Sequence, residues 1–118
     1  MIPLAIDDIV VHLIHYGFLN EERYARSFTR GKFYNKKWGK LRIQRELKAR
    51  GLTDYNIEAG LSEITDEDYY DTLNLLAEKK QATIKEKNPS KAKLANFLLY
   101  RGFEPELVYE IVDELYDE

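Results

Sequence analysis

The sequence predicts an all-α fold of tandem three-helix repeats, elongated and solenoid-like, and three observations predict it. Apolar residues recur at helical spacing along the chain, the chain resembles itself at an offset of 51 residues, and helix-stopping and helix-starting residues fall at matching places. At that offset Lys40 falls on Lys91, Ile43 on Leu94, Leu47 on Leu98, Arg50 on Arg101, Gly51 on Gly102 and Leu52 on Phe103. The register continues, with Ile57, Gly60, Leu61 and Ile64 on Val108, Ile111, Val112 and Leu115. In the other direction it reaches Ile6, Ile9, Val10 and Leu13. Each set has the i, i+3, i+4, i+7 spacing of an apolar helix stripe, thinned in the middle set by Gly60.

In chain order, residues 3–16 read as the last helix of an incomplete first repeat, so an N-terminally shortened repeat is expected over residues 1–18. A second repeat over 19–64 is predicted as helices 20–34, 39–50 and 54–64. A third over 65–118 is predicted as helices 66–86, 90–101 and 105–116. Gly51 and Gly102 stand where a helix ends on a left-handed residue, with Arg50 and Arg101 just before them at the negative end of the helix dipole. Pro3, Asp54 and Pro105 take equivalent places in a first turn, where a proline's missing N–H is no loss. Thr65, followed by Asp66, Glu67 and Asp68, reads as a capping box. The polar "KQATIKEKNPSK" is the expected joint within the third repeat. Two small, separable cores are expected, because a solenoid unit contacts mainly its neighbours. One holds Tyr24, Phe28, Ile43, Leu47, Ile57, Leu61 and Ile64, the other Leu94, Leu98, Val108, Val112 and Leu115.

With 118 residues, 44% of them hydrophobic, the chain is long enough to bury a core of modest size. It has no cysteine, which excludes disulfides and thiolate metal sites and fits a reducing, cytoplasmic location. The apolar opening is interrupted by Asp7 and Asp8 without a basic region before them, so it reads as an amphipathic helix rather than a signal peptide. No run approaches the roughly 20 apolar residues of a membrane span.

The net charge of −3 conceals a sorted distribution. Residues 23–50 hold eleven Lys or Arg and one acid, Glu46, whereas residues 51–78 hold eight acids and 104–118 seven, both without a base. On a helical wheel of 39–50, Ile43 and Leu47 centre the buried face while Leu41, Arg42, Arg45 and Lys48 point away. Lys40 and Arg50 lie at the two ends of that helix. On the helix before it, Tyr24, Ala25 and Phe28 face inward and Arg23, Arg26 and Arg30 outward. Lys32, Lys36, Lys37 and Trp38 lie at or near the turn between them. Such a patch suits phosphates or an acidic protein surface, although cationic helix faces also serve solubility alone. Trp38 reads either as a core anchor or as a base-stacking platform. Leu41, apolar among cations, reads as a contact with the next repeat or with a partner.

Other constellations are poor in chemistry. His12 and His15 are three apart, but without a further His or Cys no metal is expected there. Asp66, Glu67, Asp68 and Asp71 lack the spacing and glycine of a calcium loop and suit a helix N-terminus. No phosphate loop or nucleophile elbow is present, so neither an enzyme nor a cofactor is expected.

The stretch "GFLNEERYARSFTRGKFYNKKWGKLRIQRELKARGL" resembles the central motif of the RecX regulatory proteins. In that motif a Gly-apolar-apolar-Asn-acid-acid-Arg-aromatic-Ala run precedes a glycine, a basic Ile-containing helix and another glycine. The matching positions are Gly17, Phe18, Leu19, Asn20, Glu21, Glu22, Arg23, Tyr24 and Ala25, then Gly39, Arg42, Ile43, Glu46, Leu47 and Gly51. "KLANFLLYRGFEPELVYEIV" resembles the family's last repeat. The resemblance implies tandem three-helix repeats and a modulator, usually an inhibitor, of the recombinase RecA. Such a protein lodges in the groove of the RecA filament on DNA and hinders ATP hydrolysis, strand exchange and coprotease activity in the SOS response. It also implies RecA and single-stranded DNA as partners, no small-molecule substrate, a monomer, and Arg23 to Arg50 as the contacting face. The rival readings are a helix-turn-helix DNA-binding protein and a protein-only helical scaffold. The first would need base-reading residues on 54–64, where the chain has Asp54, Tyr55, Asn56, Glu58 and Glu63.

Overall fold

Helix α1 (Glu21–Arg30) begins where Asn20 accepts from the Arg23 N–H at 2.9 Å and two acids occupy the first turn. The computed structural model describes residues 20–84 and 88–116. The expected helix 3–16, the residues Gly17, Phe18 and Leu19, and the His12 and His15 pair lie outside them. Five further α-helices follow: α2 (Lys40–Ala49), α3 (Asp54–Leu61), α4 (Asp66–Thr83), α5 (Asn88–Tyr100) and α6 (Pro105–Tyr116). There is no strand among the described residues. The helical repeat expected from the sequence is the observed fold.

The predicted helix 20–34 is not uniform. After Arg30 it widens into a π-helical turn, Gly31–Asn35, which buries Phe33 completely and leads to Lys37 at φ 60°. A π turn inserts a residue into the helical register, a change that apolar spacing alone does not encode. At the other helix ends Thr65, Gly51 and Gly102 act as the sequence signals predict, and Thr53 adds a cap that the sequence reading had not named. Thr53 and Thr65 accept from the N–H groups of Asn56 and Asp68 at 3.3 and 3.1 Å, opening α3 and α4. Gly51 (φ 85°) and Gly102 (φ 98°) close α2 and α5 with the same pair of bonds. Gly51 and Leu52 donate to Lys48 and Leu47, and Gly102 and Phe103 donate to Leu99 and Leu98.

Within the second repeat α1 packs closely on α3. A Cβ on Gly60 would stand 2.7 Å from the Ala25 carbonyl oxygen, so the residue that thins the apolar stripe is the one that lets the helices meet.

The expectation of two separable cores is overturned. Buried side chains from Ala25 to Val112 form one cluster. Tilted ring contacts carry it across the repeat boundary, with centroids 5.7 Å apart from Phe33 to Tyr69 and 5.3 Å from Tyr69 to Phe103. The backbone is joined there too. The N–H groups of Gly39 and Leu41 donate to the carbonyls of Arg101 and Gly102 at 2.7 and 3.0 Å, and the N–H of Lys40 donates to the Tyr69 hydroxyl at 2.9 Å. Helix α2 has no side-chain cap of its own. The end of α5 and the start of α4 supply one, matching exposed carbonyls to orphan N–H groups.

Candidate nucleic-acid interface

The eleven cations of residues 23–50 and their two apolar companions divide into groups once their neighbours are known. Arg23, Lys36, Arg45 and Lys48 are exposed, and Leu41 is 39% exposed beside Arg45 and Lys48. The wheel placed Leu41, Arg45 and Lys48 correctly on the outer face, with Ile43 and Leu47 fully buried beneath them. Lys48 reaches Asp54 at 3.2 Å, an exposed pair that restrains it little.

A second group is committed to the fold. Arg26 bonds Glu22 at 2.9 Å and Glu63 at 2.7 Å, and Arg30 bonds the other Glu63 oxygen at 2.9 Å. The bonds from Arg26 and then Arg30 hold the Glu63 carboxyl below its ordinary range. Arg26 and Arg30 are thus not free on the outer side of α1: both fasten it to the end of α3, although Arg30 stays exposed. Arg50 reaches back to the Glu46 carboxylate at 3.0 Å and lies 4.9 Å from the Phe28 ring centroid.

The third group surrounds Trp38, which is half-buried and packs against the core with its ring 6.4 Å from that of Phe28. The Arg42 guanidinium lies 3.9 Å from the Trp38 centroid and Lys32 Nζ 4.9 Å from it. Trp38 thus resolves as a core anchor with cations against its ring. Arg42 is the second correction. It does not point away from the molecule but lies half-buried, with its Cβ against Gly102 of the third repeat. Lys40 lies 4.7 Å from the Tyr69 centroid.

The turn that carries Lys36 and Lys37 is held from the third repeat. Arg101 donates to the Lys36 carbonyl and, at 3.2 Å, to the Lys37 carbonyl, while Lys37 Nζ donates to the Tyr34 carbonyl at 2.6 Å. The left-handed backbone of Lys37 costs about 1 kcal/mol and persists because these bonds over-determine it. Burial, and then the Arg42 charge, lower the Arg101 pKa below that of a free guanidinium, a mark of cations crowded at the seam.

The sequence reading missed Arg101, Tyr69 and Tyr100. Their signal was present in part: residues 79–101 hold seven bases and one acid, Glu86, a second basic block. Lys93 stands at the repeat position of Arg42.

The acidic cluster of α4 is used locally. Asp68 takes the Tyr34 hydroxyl at 2.7 Å, and its own N–H is capped by Thr65. Among the described residues no group of three or more His, Cys, Asp or Glu side chains could hold a metal, and no helix is long and apolar enough to cross a membrane. The exposed face of α3, with Asp54, Tyr55 and Glu58, has no base to read a groove.

Fold and surface together define a helical-repeat protein that presents a cationic face. Its first described repeat, residues 20–61, matches the family model "RecX, second three-helix domain", and residues 66–112 match "RecX, third three-helix domain". The chain belongs to the RecX family. It is 30% identical over 96% of its length to the regulatory protein RecX of Bacillus cereus (strain AH820), and 32% identical over 87% of its length to that of Streptococcus uberis. It spans 43% and 40% of those proteins, less than half of each. The crystal structure of RecX from Lactobacillus salivarius superposes with a TM-score of 0.71 at 26% identity, covering 97% of this chain and 75% of that one.

Proposed function

We propose that the protein regulates the recombinase RecA by binding the RecA filament on DNA and inhibiting its ATPase, strand-exchange and coprotease activities, in DNA repair and the SOS response. Membership of the RecX family carries this reading, and the exposed cations Arg23, Lys36, Arg45 and Lys48 support it. They form the part of the face from Arg23 to Arg50 that is best placed to meet phosphates or an acidic protein surface. The protein would act in the cytoplasm, as a monomer, without catalytic residues or a cofactor. The acidic face of α3 speaks against a helix-turn-helix reader.

The test adds the chain to RecA assembled on single-stranded DNA and follows ATP hydrolysis. The rate should fall, and the Arg23→Glu, Arg45→Glu, Lys48→Glu triple variant should inhibit poorly at the same concentration. Arg42 is left out of that variant because it supports the seam between repeats. Each exposed substitution should change stability by no more than about 0.5 kcal/mol. An unchanged ATPase rate and filament length with the wild-type chain would refute the reading. Full inhibition by a folded triple variant would reduce the patch to a solvated surface.

A further inference from the structure

Two grooves meet at one exposed ring on the third repeat. The larger, of about 730 Å³, lies between α4 and α5 and is lined by Lys80, Ile84, Lys93, Asn96, Phe97 and Tyr100 among others. The smaller, of about 360 Å³, crosses the seam and is lined by Arg42, Arg45, Glu46, Leu99 and Tyr100. Tyr100 borders both and is 81% exposed, with no fold-stabilising role apparent from its burial. Its neighbours are arranged by packing: Lys80 Nζ lies 5.1 Å from the Phe97 centroid, Arg101 lies 5.6 Å from the same ring, and Arg42 lies over Trp38. The acid lining the smaller groove, Glu46, is engaged by Arg50 at 3.0 Å.

We propose that this surface is a single-stranded nucleic-acid subsite, in which a base stacks on the Tyr100 ring while its flanking phosphates meet Arg42 and Arg45 on one side and Lys80 and Lys93 on the other. The proposal rests on the reading that the adjoining α2 face meets DNA, and adds a contact on the third repeat outside residues 23–50. An open aromatic ring between cationic grooves suits a strand, since every base has a face to stack and a phosphate on each side. A duplex keeps its bases stacked on one another and offers none to the ring. An acidic peptide would use the cations and gain nothing specific from the ring. The crowding of Arg101 by Arg42 adds to the field that an anion would relieve.

The experiment measures binding of a fluorescent single-stranded oligothymidylate to the 118-residue chain across a salt series, with a duplex of equal length and polyglutamate as competitors. Tyr100→Leu should weaken binding about 5- to 100-fold without changing the salt slope, and Tyr100→Phe should remain within about twofold of wild type. Lys93→Gln should shallow the log-affinity against log-salt slope by about 0.7. Circular dichroism verifies that the exposed-site variants stay folded. A wild-type chain that does not bind the oligonucleotide at low salt overturns the proposal, as does a Tyr100→Leu variant that binds as tightly as wild type. Displacement of the strand by polyglutamate as effectively as by unlabelled oligothymidylate would assign the grooves to an acidic protein segment and also overturn it. RecA inhibition retained in any of these cases would leave the regulatory reading standing, which separates the two failures.

Discussion

Helices α2 and α5 end in the same way, yet one end lies open and the other is buried. Gly51 and Gly102 share a left-handed backbone and the same pair of closing hydrogen bonds. Gly51 is exposed, whereas Gly102 is buried against Arg42 and receives the start of α2 on its carbonyl. The difference shows that a repeated local motif can be duplicated without duplicating its role. At Gly51 the exposed glycine meets a conformational requirement; at Gly102 it also permits two backbones to approach.

Substituting each glycine with alanine should separate those two requirements. Gly51→Ala, at an exposed position, should cost chiefly the left-handed penalty, about 1 kcal/mol. Gly102→Ala adds a Cβ that overlaps the Arg42 Cβ and presses on its backbone, and should cost about 3 kcal/mol or more in urea unfolding. Gly39→Ala, whose Cβ would overlap the Gly102 and Phe103 backbone, should resemble the latter and be non-additive with it. Equal losses at Gly51 and Gly102 would dissolve the comparison.

A smaller effect is expected at the ring that joins the repeats. The Tyr69 hydroxyl donates to Glu104 and accepts from the Lys40 N–H, so Tyr69→Phe should leave both without that partner and cost about 1–2 kcal/mol. Burial, and then the bond to Glu104, raise the Tyr69 pKa above its ordinary 10.0. The folded state therefore keeps a proton that the unfolded chain loses. Stability linked to Tyr69 is complete below about pH 10 and falls as pH rises beyond it. Tyr69→Phe should flatten that alkaline decline, which unfolding curves between neutral pH and pH 11 would reveal.

The smallest expected effect lies away from the seam, in the second repeat alone. Glu63 is held below its ordinary 4.5 by Arg26 and Arg30, so its contribution is present above that pH and is lost as pH falls through its lowered value. Glu63→Gln should remove a shallow acid-side slope and leave the alkaline limb unchanged. Because the group is only partly buried and Arg30 is exposed, 0.5 M salt should weaken the effect in the wild type.

Much of the fold was legible in the residues. The stops at Gly51 and Gly102, the cap at Thr65, and the buried stripe of Ile43 and Leu47 all depend on neighbours within a turn or two. The π turn at Gly31–Asn35 was not legible, because its register shift serves Phe33, whose ring partners include Tyr69, 36 residues further on. The candidate site was legible as a charge block but not as a surface. Arg26 and Arg42 look equally outward on a wheel, and only the packed chain reveals Glu63 beside one and Trp38 and Gly102 beside the other.

The sequence by itself thus determined the helix type, most helix limits, the inward stripes and the repeat, since each follows from 3.6-residue periodicity and from hydrogen bonds closed within a few residues. Only the tertiary structure decided that the repeats share one core and which cations remain open to a partner. Those outcomes depend on close approach between segments far apart in the chain: Gly39 meeting Gly102, Tyr69 between Phe33 and Phe103, and long Arg and Lys side chains choosing among acids, rings and solvent by distance through space.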